Sequence, residues 1–180
     1  MPRGRFGTPF RFVERCASTQ RELDGAPEGA VVATDEQTEG RGRLGRSWDA
    51  PAGTSLLFSV VLEPRVPGER LPELSLVAGE AVAEAIASVA GLAPAIKPPN
   101  DVLVDGRKVA GILAEASDGR VVLGIGVNVS QRADQLPSDV VTPATSLALE
   151  GADVDRAELF AAILAALERR YDGWLSTGSD

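Results

Sequence analysis

The sequence predicts an α+β domain, a mixed and largely antiparallel sheet flanked by helices. Three observations predict it. Apolar residues recur at helical spacing from Leu74 through Val77, Ala78, Ala81, Val82, Ala85 and Ile86 to Val89. Ser55–Leu62 and Val121–Val129 are strand-length runs dominated by Val, Leu and Ile. Val102–Val104 and Lys108–Ala114 flank Asp105-Gly106, a pair suited to the two left-handed positions of a tight hairpin turn. The 180 residues show no internal repeat and no dividing linker, and this length is enough for one domain with a true core.

In chain order, residues 1–9 are rich in Gly, Pro and Arg and are expected to be loose. The domain proper is expected over 10–180. Phe10–Arg15 alternates apolar and polar residues, which suits a first strand. Ser18 is placed to cap a short helix containing Arg21, Glu22 and Leu23, closed by Asp24-Gly25-Ala26-Pro27. Ala30–Thr34 reads as a buried strand. Residues 37–54 are Gly-rich without apolar period and form a long loop, a class that is functional or mobile. Pro64, Pro67 and Pro72 break the next stretch, and Gly91 ends the first long helix. Pro98 forces extended backbone on Lys97. Leu159, Phe160, Ile163, Leu164, Leu167 and Tyr171 mark a last amphipathic helix.

Composition excludes several chemistries. There is no His, so a Ser-His-Asp triad, an imidazole base and a His-held metal are impossible. One Cys allows neither an internal disulfide nor a Cys-based zinc cage. A balance of 18 Lys+Arg to 26 Asp+Glu argues against a broad nucleic-acid surface. The N-terminus lacks the apolar core of a signal peptide, and no apolar run approaches the ~18–20 residues of a membrane span. A cytoplasmic protein is the expectation.

Three segments carry chemistry. Gly40-Arg41-Gly42-Arg43-Leu44-Gly45-Arg46 interleaves planar guanidinium forks with glycines that let backbone approach a ligand. It is an anion or nucleotide site, a flexible basic loop, or an RNA-binding segment of Arg-Gly type. It is not a P-loop. Lys97 and Lys108, the only two Lys of the chain, flank a predicted turn. They suit a phosphoryl group or developing negative charge, or are plain surface residues. Between them Asn100-Asp101 reads as a turn, with Asp101 able to hold Mg²⁺. Gly124 and Gly126 share one strand face with Asn128, which marks close ligand approach, a bulge or tight sheet packing.

Together these segments resemble the ordered motifs of biotin protein ligases. The motifs are Ser18-Thr19-Gln20, Gln37 through Trp48, Lys97-Pro-Pro-Asn100-Asp101, Arg107-Lys108-Val-Ala-Gly111-Ile-Leu113 and Gly124-Ile-Gly-Val-Asn128. The resemblance runs from about Phe10 to Leu167 and implies the biotin/lipoate protein ligase catalytic-domain fold. It implies that biotin attacks MgATP to give biotinyl-5′-AMP. A lysine of a biotin carboxyl carrier protein then takes the acyl group, on an enzyme that is a monomer or a homodimer. By resemblance, Ser18, Thr19, Gln20 and Gln37 would bind the biotin head group, with Gly40, Arg41, Gly42 and Arg43 over it. Leu113, Gly124 and Gly126 would line the slot. Arg43, Arg46, Trp48, Asn100 and Asn128 would meet the nucleotide. Lys108 would be the principal catalytic cation, with Arg43 and Lys97 assisting and Asp101 near Mg²⁺. Two positions depart from the family pattern: Pro98 stands where Trp is usual, and Glu39 where a small residue is usual. The expected chain carries neither a DNA-binding helix-turn-helix nor the small C-terminal β-domain of many members. The alternatives are a non-catalytic biotin- or adenylate-binding module and a lipoate or octanoate ligase.

Overall fold

The computed structural model describes residues 4–138 and 140–177. Residues 1–3, 139 and 178–180, which belong to the expected loose N-terminus and to the expected domain, lie outside it. Seven strands form one sheet: β1 (Phe10–Cys16), β2 (Val31–Gln37), β3 (Ser55–Leu62), β4 (Pro94–Lys97), β5 (Asp101–Val104), β6 (Arg107–Ser117) and β7 (Arg120–Asn128). Their spatial order is β1-β2-β3-β7-β6-β5-β4. Only β1 and β2 run parallel; every other neighbouring pair is antiparallel. Two long helices, α1 (Leu74–Ala90) and α2 (Arg156–Ser176), complete the predicted α+β architecture.

Strand alternation divides the sheet into two faces. Leu56, Phe58, Val60 and Leu62 of β3 join Val121, Leu123, Ile125 and Val127 of β7 in the core under the helices. The helices contribute Ala78, Ala81, Val82 and Ile86 from α1 and Leu159, Ile163, Leu164 and Leu167 from α2. Each large apolar side chain buried there contributes about 1.5–3 kcal/mol. Arg170 of α2 binds Glu80 at 2.5 Å and Glu84 at 2.9 Å, clipping the helices together on their outer side. α1 ends at Gly91 in the left-handed region (φ 66°), as its sequence predicts. α2 starts on Asp155, whose carboxylate accepts from the Ala157 and Glu158 amides at 2.7 and 3.0 Å.

Two expectations are corrected. From Gly4 onward the N-terminal segment is packed. Phe6 is buried against Tyr171, and the Gly7 amide donates to the Gly29 carbonyl at 2.8 Å. Ser18 caps no helix. Arg21–Leu23 is one 3-10 turn entered from Gln20, and only the Ser18 carbonyl meets it, accepting from Glu22 N at 3.3 Å. Asp24 and Gly25 end that turn before the costly first helical turn can be extended.

One irregularity places the chemistry. Leu103 pairs with Lys108 and Val102 with Ala110, so Val109 is an extra residue in β6. This bulge rotates Lys108 onto the face of Gly111 and away from the helix side, where Ala110 and Ile112 are buried. The Lys108 backbone bonds across to 143–145 instead, its amide to Pro143 O at 2.7 Å and its carbonyl from Thr145 N at 2.8 Å.

Candidate active site

The face opposite the helices carries a narrow slot floored by glycines. Gly124 and Gly126 of β7 lie beside Leu113 and Gly111 of β6. At about 3.4 Å per residue, the two β7 glycines are about 7 Å apart along the floor. Above Gly124 lies the Gln20 side chain, 3.2 Å from where a Cβ would project. Its amide donates to the Leu113 and Val122 carbonyls at 3.3 and 3.2 Å. Gln20 thus closes one end of the slot.

The same end is polar. The crossover from β1 to β2 carries Ser18 and Thr19, both buried. Gln37 Oε1 accepts from Thr19 N at 2.8 Å and Thr19 Oγ1 at 3.1 Å, and Thr19 Oγ1 lies 2.7 Å from Ser59 Oγ. A chain in which Ser59 donates to Thr19 and Thr19 to Gln37 satisfies all three. It fixes the Gln37 oxygen toward Thr19 and turns its NH₂ toward Gly40, 3.1 Å from the position of a Cβ there. Cys16, just upstream, is buried, and burial pushes its thiol pKa up, so it is a core residue and not a nucleophile.

Residues 40–48 form a small hairpin over the slot, a more ordered element than the long loop expected. Trp48 N donates to Gly40 O at 2.9 Å and Gly42 N to Arg46 O at 2.7 Å. Leu44 (φ 59°) and Gly45 (φ 73°) turn its tip. Gly40 is required by close approach, since a Cβ would lie 2.2 Å from the Trp48 carbonyl. The Trp48 ring stands over the far end of the floor, 2.8 Å from a Cβ position at Gly111 and 2.7 Å from one at Gly126. The cavity left beneath is about 50 Å³.

The cations gather at this end. Lys108 Nζ lies 5.6 Å from the Trp48 ring centre and 2.7 Å from Asp101 Oδ1. Arg43 Nη1 donates to Asn100 Oδ1 at 3.2 Å, and Asn100 Nδ2 donates to Ile112 O at 3.0 Å. Asp101 is already paired, and the described residues contain no cluster of three metal-ligating side chains. This donor set fits Mg²⁺ carried in on nucleotide phosphates, with Asp101 as its one carboxylate, and does not form a metal cage of its own.

The slot therefore brings together Ser18, Thr19, Gln20, Gln37, Arg41, Gly42, Arg43, Trp48, Asn100, Lys108, Leu113, Gly124 and Gly126. Five of the candidates do not line it: Gly40, at the base of the hairpin, Asp101, which pairs with Lys108, and Lys97, Arg46 and Asn128. Lys97 lies on edge strand β4, three strands from β7, and its ammonium reaches Thr142 Oγ1. Arg46 is exposed on the outer side of the hairpin, over a second cavity of about 460 Å³ bounded by Leu113 and Glu115. Asn128 shares the glycine face, but its amide is engaged by Thr145 O and Gln131 Nε2, both at 2.9 Å. Sequence reasoning assigned no role to Ser59 or Gly111. The signals were a hydroxyl inside the run Ser55-Leu-Leu-Phe-Ser-Val-Val-Leu62 and a glycine inside the apolar stretch Val109–Ala114 of β6.

Comparison with known proteins agrees with this geometry. Residues 12–131 match the model of the biotin/lipoate A/B protein ligase family. The chain is 40% identical over 183 residues to the bifunctional ligase/repressor BirA of Bacillus spizizenii, covering 96% of this chain and 56% of that protein. It is 43% identical over 152 residues to the biotin–[acetyl-CoA-carboxylase] ligase of Mycobacterium tuberculosis, covering 82% and 56%. It thus spans little more than half the length of these curated relatives. The biotin protein ligase of Aquifex aeolicus, solved in complex with biotin and ATP, superposes with a TM-score of 0.83 at 34% identity, over 93% of this chain and 72% of that one. A family model that matches two thirds of its residues and relatives of this identity and fold show that the chain belongs to the biotin/lipoate A/B protein ligase family.

Proposed function

We propose that this protein activates biotin with MgATP as biotinyl-5′-AMP and passes the acyl group to a lysine of a biotin carboxyl carrier domain, in the cytoplasm. The observation that carries the reading is the polarity of the slot. Ser18, Thr19, Gln37 and Ser59 cluster at the Gly124 end, and Lys108 and Arg43 stand at the Gly111–Gly126 end. A ureido head group fits the first set, which offers both donors and acceptors. The carboxylate then lies at Lys108. Its oxygen attacks the α-phosphorus, pyrophosphate leaves, and Lys108 and Arg43 offset the charge that builds on the transferring group. In the second step the acceptor amine attacks the acyl carbon and AMP departs. Neither step needs an enzyme nucleophile or an imidazole, which suits a chain without His.

Biotin-dependent ATP–pyrophosphate exchange tests this. Exchange with biotin and none with lipoate supports the reading. Exchange with lipoate alone makes the protein a lipoate-type ligase, and biotin binding without exchange makes it a binding module. Lys108→Ala is expected to lower exchange by about 10²–10³-fold, as for removal of a charge-stabilising donor. Near-normal turnover in that variant refutes the role given to Lys108. No helix among the described residues is long and apolar enough to cross a membrane.

A further inference from the structure

Glu150 is a buried carboxylate that the proposed reaction does not use. Its side chain is 4% exposed. Oε2 accepts from Arg107 Nη2 at 2.7 Å, and Oε1 accepts from the Thr145 hydroxyl. These two donors stand on either side of Lys108. Arg107 precedes it in β6. Thr145, itself buried, donates its amide to the Lys108 carbonyl at 2.8 Å, while the Lys108 amide donates to Pro143 O at 2.7 Å. Arg107, Lys108, Thr145 and Glu150 thus close a ring of covalent and hydrogen bonds beside the bulge. A tight turn brings the carboxylate back over Thr145: Glu150 N donates to Ser146 O at 3.1 Å, and Leu149 N to Ser146 Oγ at 3.2 Å. The segment is also tied to β7, where Asn128 Nδ2 donates to Thr145 O at 2.9 Å and Leu147 N to Asn128 O at 3.1 Å. The tie to β6 is the one that bears on Lys108.

We propose that Glu150 is a positioning residue for Lys108. By holding Arg107 and Thr145 to one carboxylate, it keeps the 143–145 segment against β6 and fixes the bulge that turns the Lys108 ammonium into the slot. Glu150 does not itself line the slot, so its effect on the reaction passes through Lys108. The inference rests on the proposed function for the part that Lys108 plays. A carboxylate suits the task because a charged acceptor holds its donors more strongly than a neutral one. A buried carboxylate is tolerated only when its oxygens are satisfied, and here both are. Removing it leaves the Arg107 guanidinium and the buried Thr145 hydroxyl without this acceptor, and the segment is then held to β6 by backbone bonds alone.

The test uses the whole chain and two readouts. Hydrogen exchange of the Lys108 and Thr145 amides, measured without ligand, reports on the segment directly. It should rise about 10-fold in Glu150→Ala and in Thr145→Val, which removes only the hydroxyl tie. Glu150→Gln should recover most of the protection, because its amide can accept from Arg107 and donate to a turned Thr145 hydroxyl. Biotin-dependent pyrophosphate exchange is then measured in a cycle with Lys108→Ala. Glu150→Ala should lower kcat by about 10- to 100-fold in the parent, as for a misplacement of about 1 Å. In the Lys108→Ala background it should lower kcat by less than about twofold, since the group it positions is gone. A merely structural residue would cost the same factor in both backgrounds. Equal losses in the two backgrounds overturn the proposal, as does unchanged hydrogen exchange at both amides in Glu150→Ala. If Glu150→Ala does not fold, Thr145→Val goes through the same cycle and decides by the same outcomes. If the parent forms no adenylate, the proposed function fails, while the two amides still decide whether Glu150 holds the segment.

Discussion

Gly111→Ala isolates the contact on which the cationic end depends. A methyl at this position would lie 2.8 Å from Trp48 Cζ3 and 3.2 Å from both Cε and Nζ of Lys108. Ordinary contact begins near 3.4 Å, so the ring must retreat by about 0.6 Å and Lys108 by about 0.2 Å. The strand cannot yield instead, because Gly111 is paired with Asp101 on one side and Gly126 on the other. The displaced groups are thus the Trp48 ring and Lys108, the cation proposed for the reaction, with the hydrophobic core untouched. Overpacking costs about 1–3 kcal/mol, and a misplacement of about 1 Å can cost about 100-fold in rate. The expected result is a loss of about 10- to 100-fold in kcat/KM for biotin-dependent pyrophosphate exchange. The melting temperature should fall by no more than about 2–4 °C per kcal/mol. Exchange within twofold of the parent would show that the indole moves freely, and would refute the claim that the glycine floor sets its position.

Three further outcomes are expected. Gly173→Ala, in α2 with nothing within 4 Å of the new methyl, should stabilise the fold by about 0.5–1 kcal/mol, read as a higher denaturant midpoint. Phe6→Ala should destabilise by about 3–5 kcal/mol, because the ring is 1% exposed and packs on Tyr171 at 5.7 Å; a shift below about 1 kcal/mol would show the N-terminal segment to be undocked. The Glu84 carboxyl is held below its ordinary 4.5, first by the hydrogen bond from Arg170. Such a depressed group contributes stability above its unfolded value and loses it as pH falls through the folded one. Thermal melts at about pH 7 and about pH 3 should therefore show a smaller acid-induced drop for Glu84→Gln than for the parent.

What the sequence showed, and what it hid, follows from how local each signal is. β3, α1 and the Asp105-Gly106 hairpin were legible because a run of Val and Leu, a 3.6-residue period and a turn dipeptide act within a few residues. Asp105 and Gly106 do adopt φ 48° and 76°. Asp118-Gly119 takes the same form at 53° and 78°, and turned β6 into β7 on a signal that was equally available. The bulge at Val109 was not legible. Nothing in Lys-Val-Ala-Gly-Ile-Leu distinguishes a regular strand from one with an extra residue, because the bulge depends on pairing with β5 and on the 143–145 segment. Yet that bulge decides that Lys108, and not Lys97, reaches the slot. Phe6 was hidden by its Gly- and Arg-rich neighbours, although one aromatic sufficed to dock the segment. Asn128 was placed correctly on the glycine face, but periodicity cannot tell whether an amide is free or already bonded to Thr145 and Gln131.

The Lys108–Asp101 pair at first looks like an obstacle to the role proposed for Lys108, because the ammonium is already neutralised. Its geometry argues the reverse. The 2.7 Å contact to Asp101 Oδ1 is an ion pair that lacks hydrogen-bond geometry, so it commits none of the three donors of the ammonium. They are available to a carboxylate and a phosphate oxygen arriving together. A long, flexible lysine stem is poorly suited to holding a charge in one place, and loses rotamer entropy when it does. Here Asp101 fixes the head, the Trp48 ring covers it at 5.6 Å, and the floor at Gly111 limits how far it can sink. That restriction is in place before any ligand binds. It also explains how a chain of net charge −8 can serve an anion. Screening confines exposed charges to about 8 Å at physiological salt, so the distant carboxylates weigh little. The nearby ones, Asp101 and Glu115, each pair with a cation that lines the slot, Lys108 and Arg41, and Arg43, which meets only the neutral amide of Asn100, retains the charge that an incoming phosphate would meet.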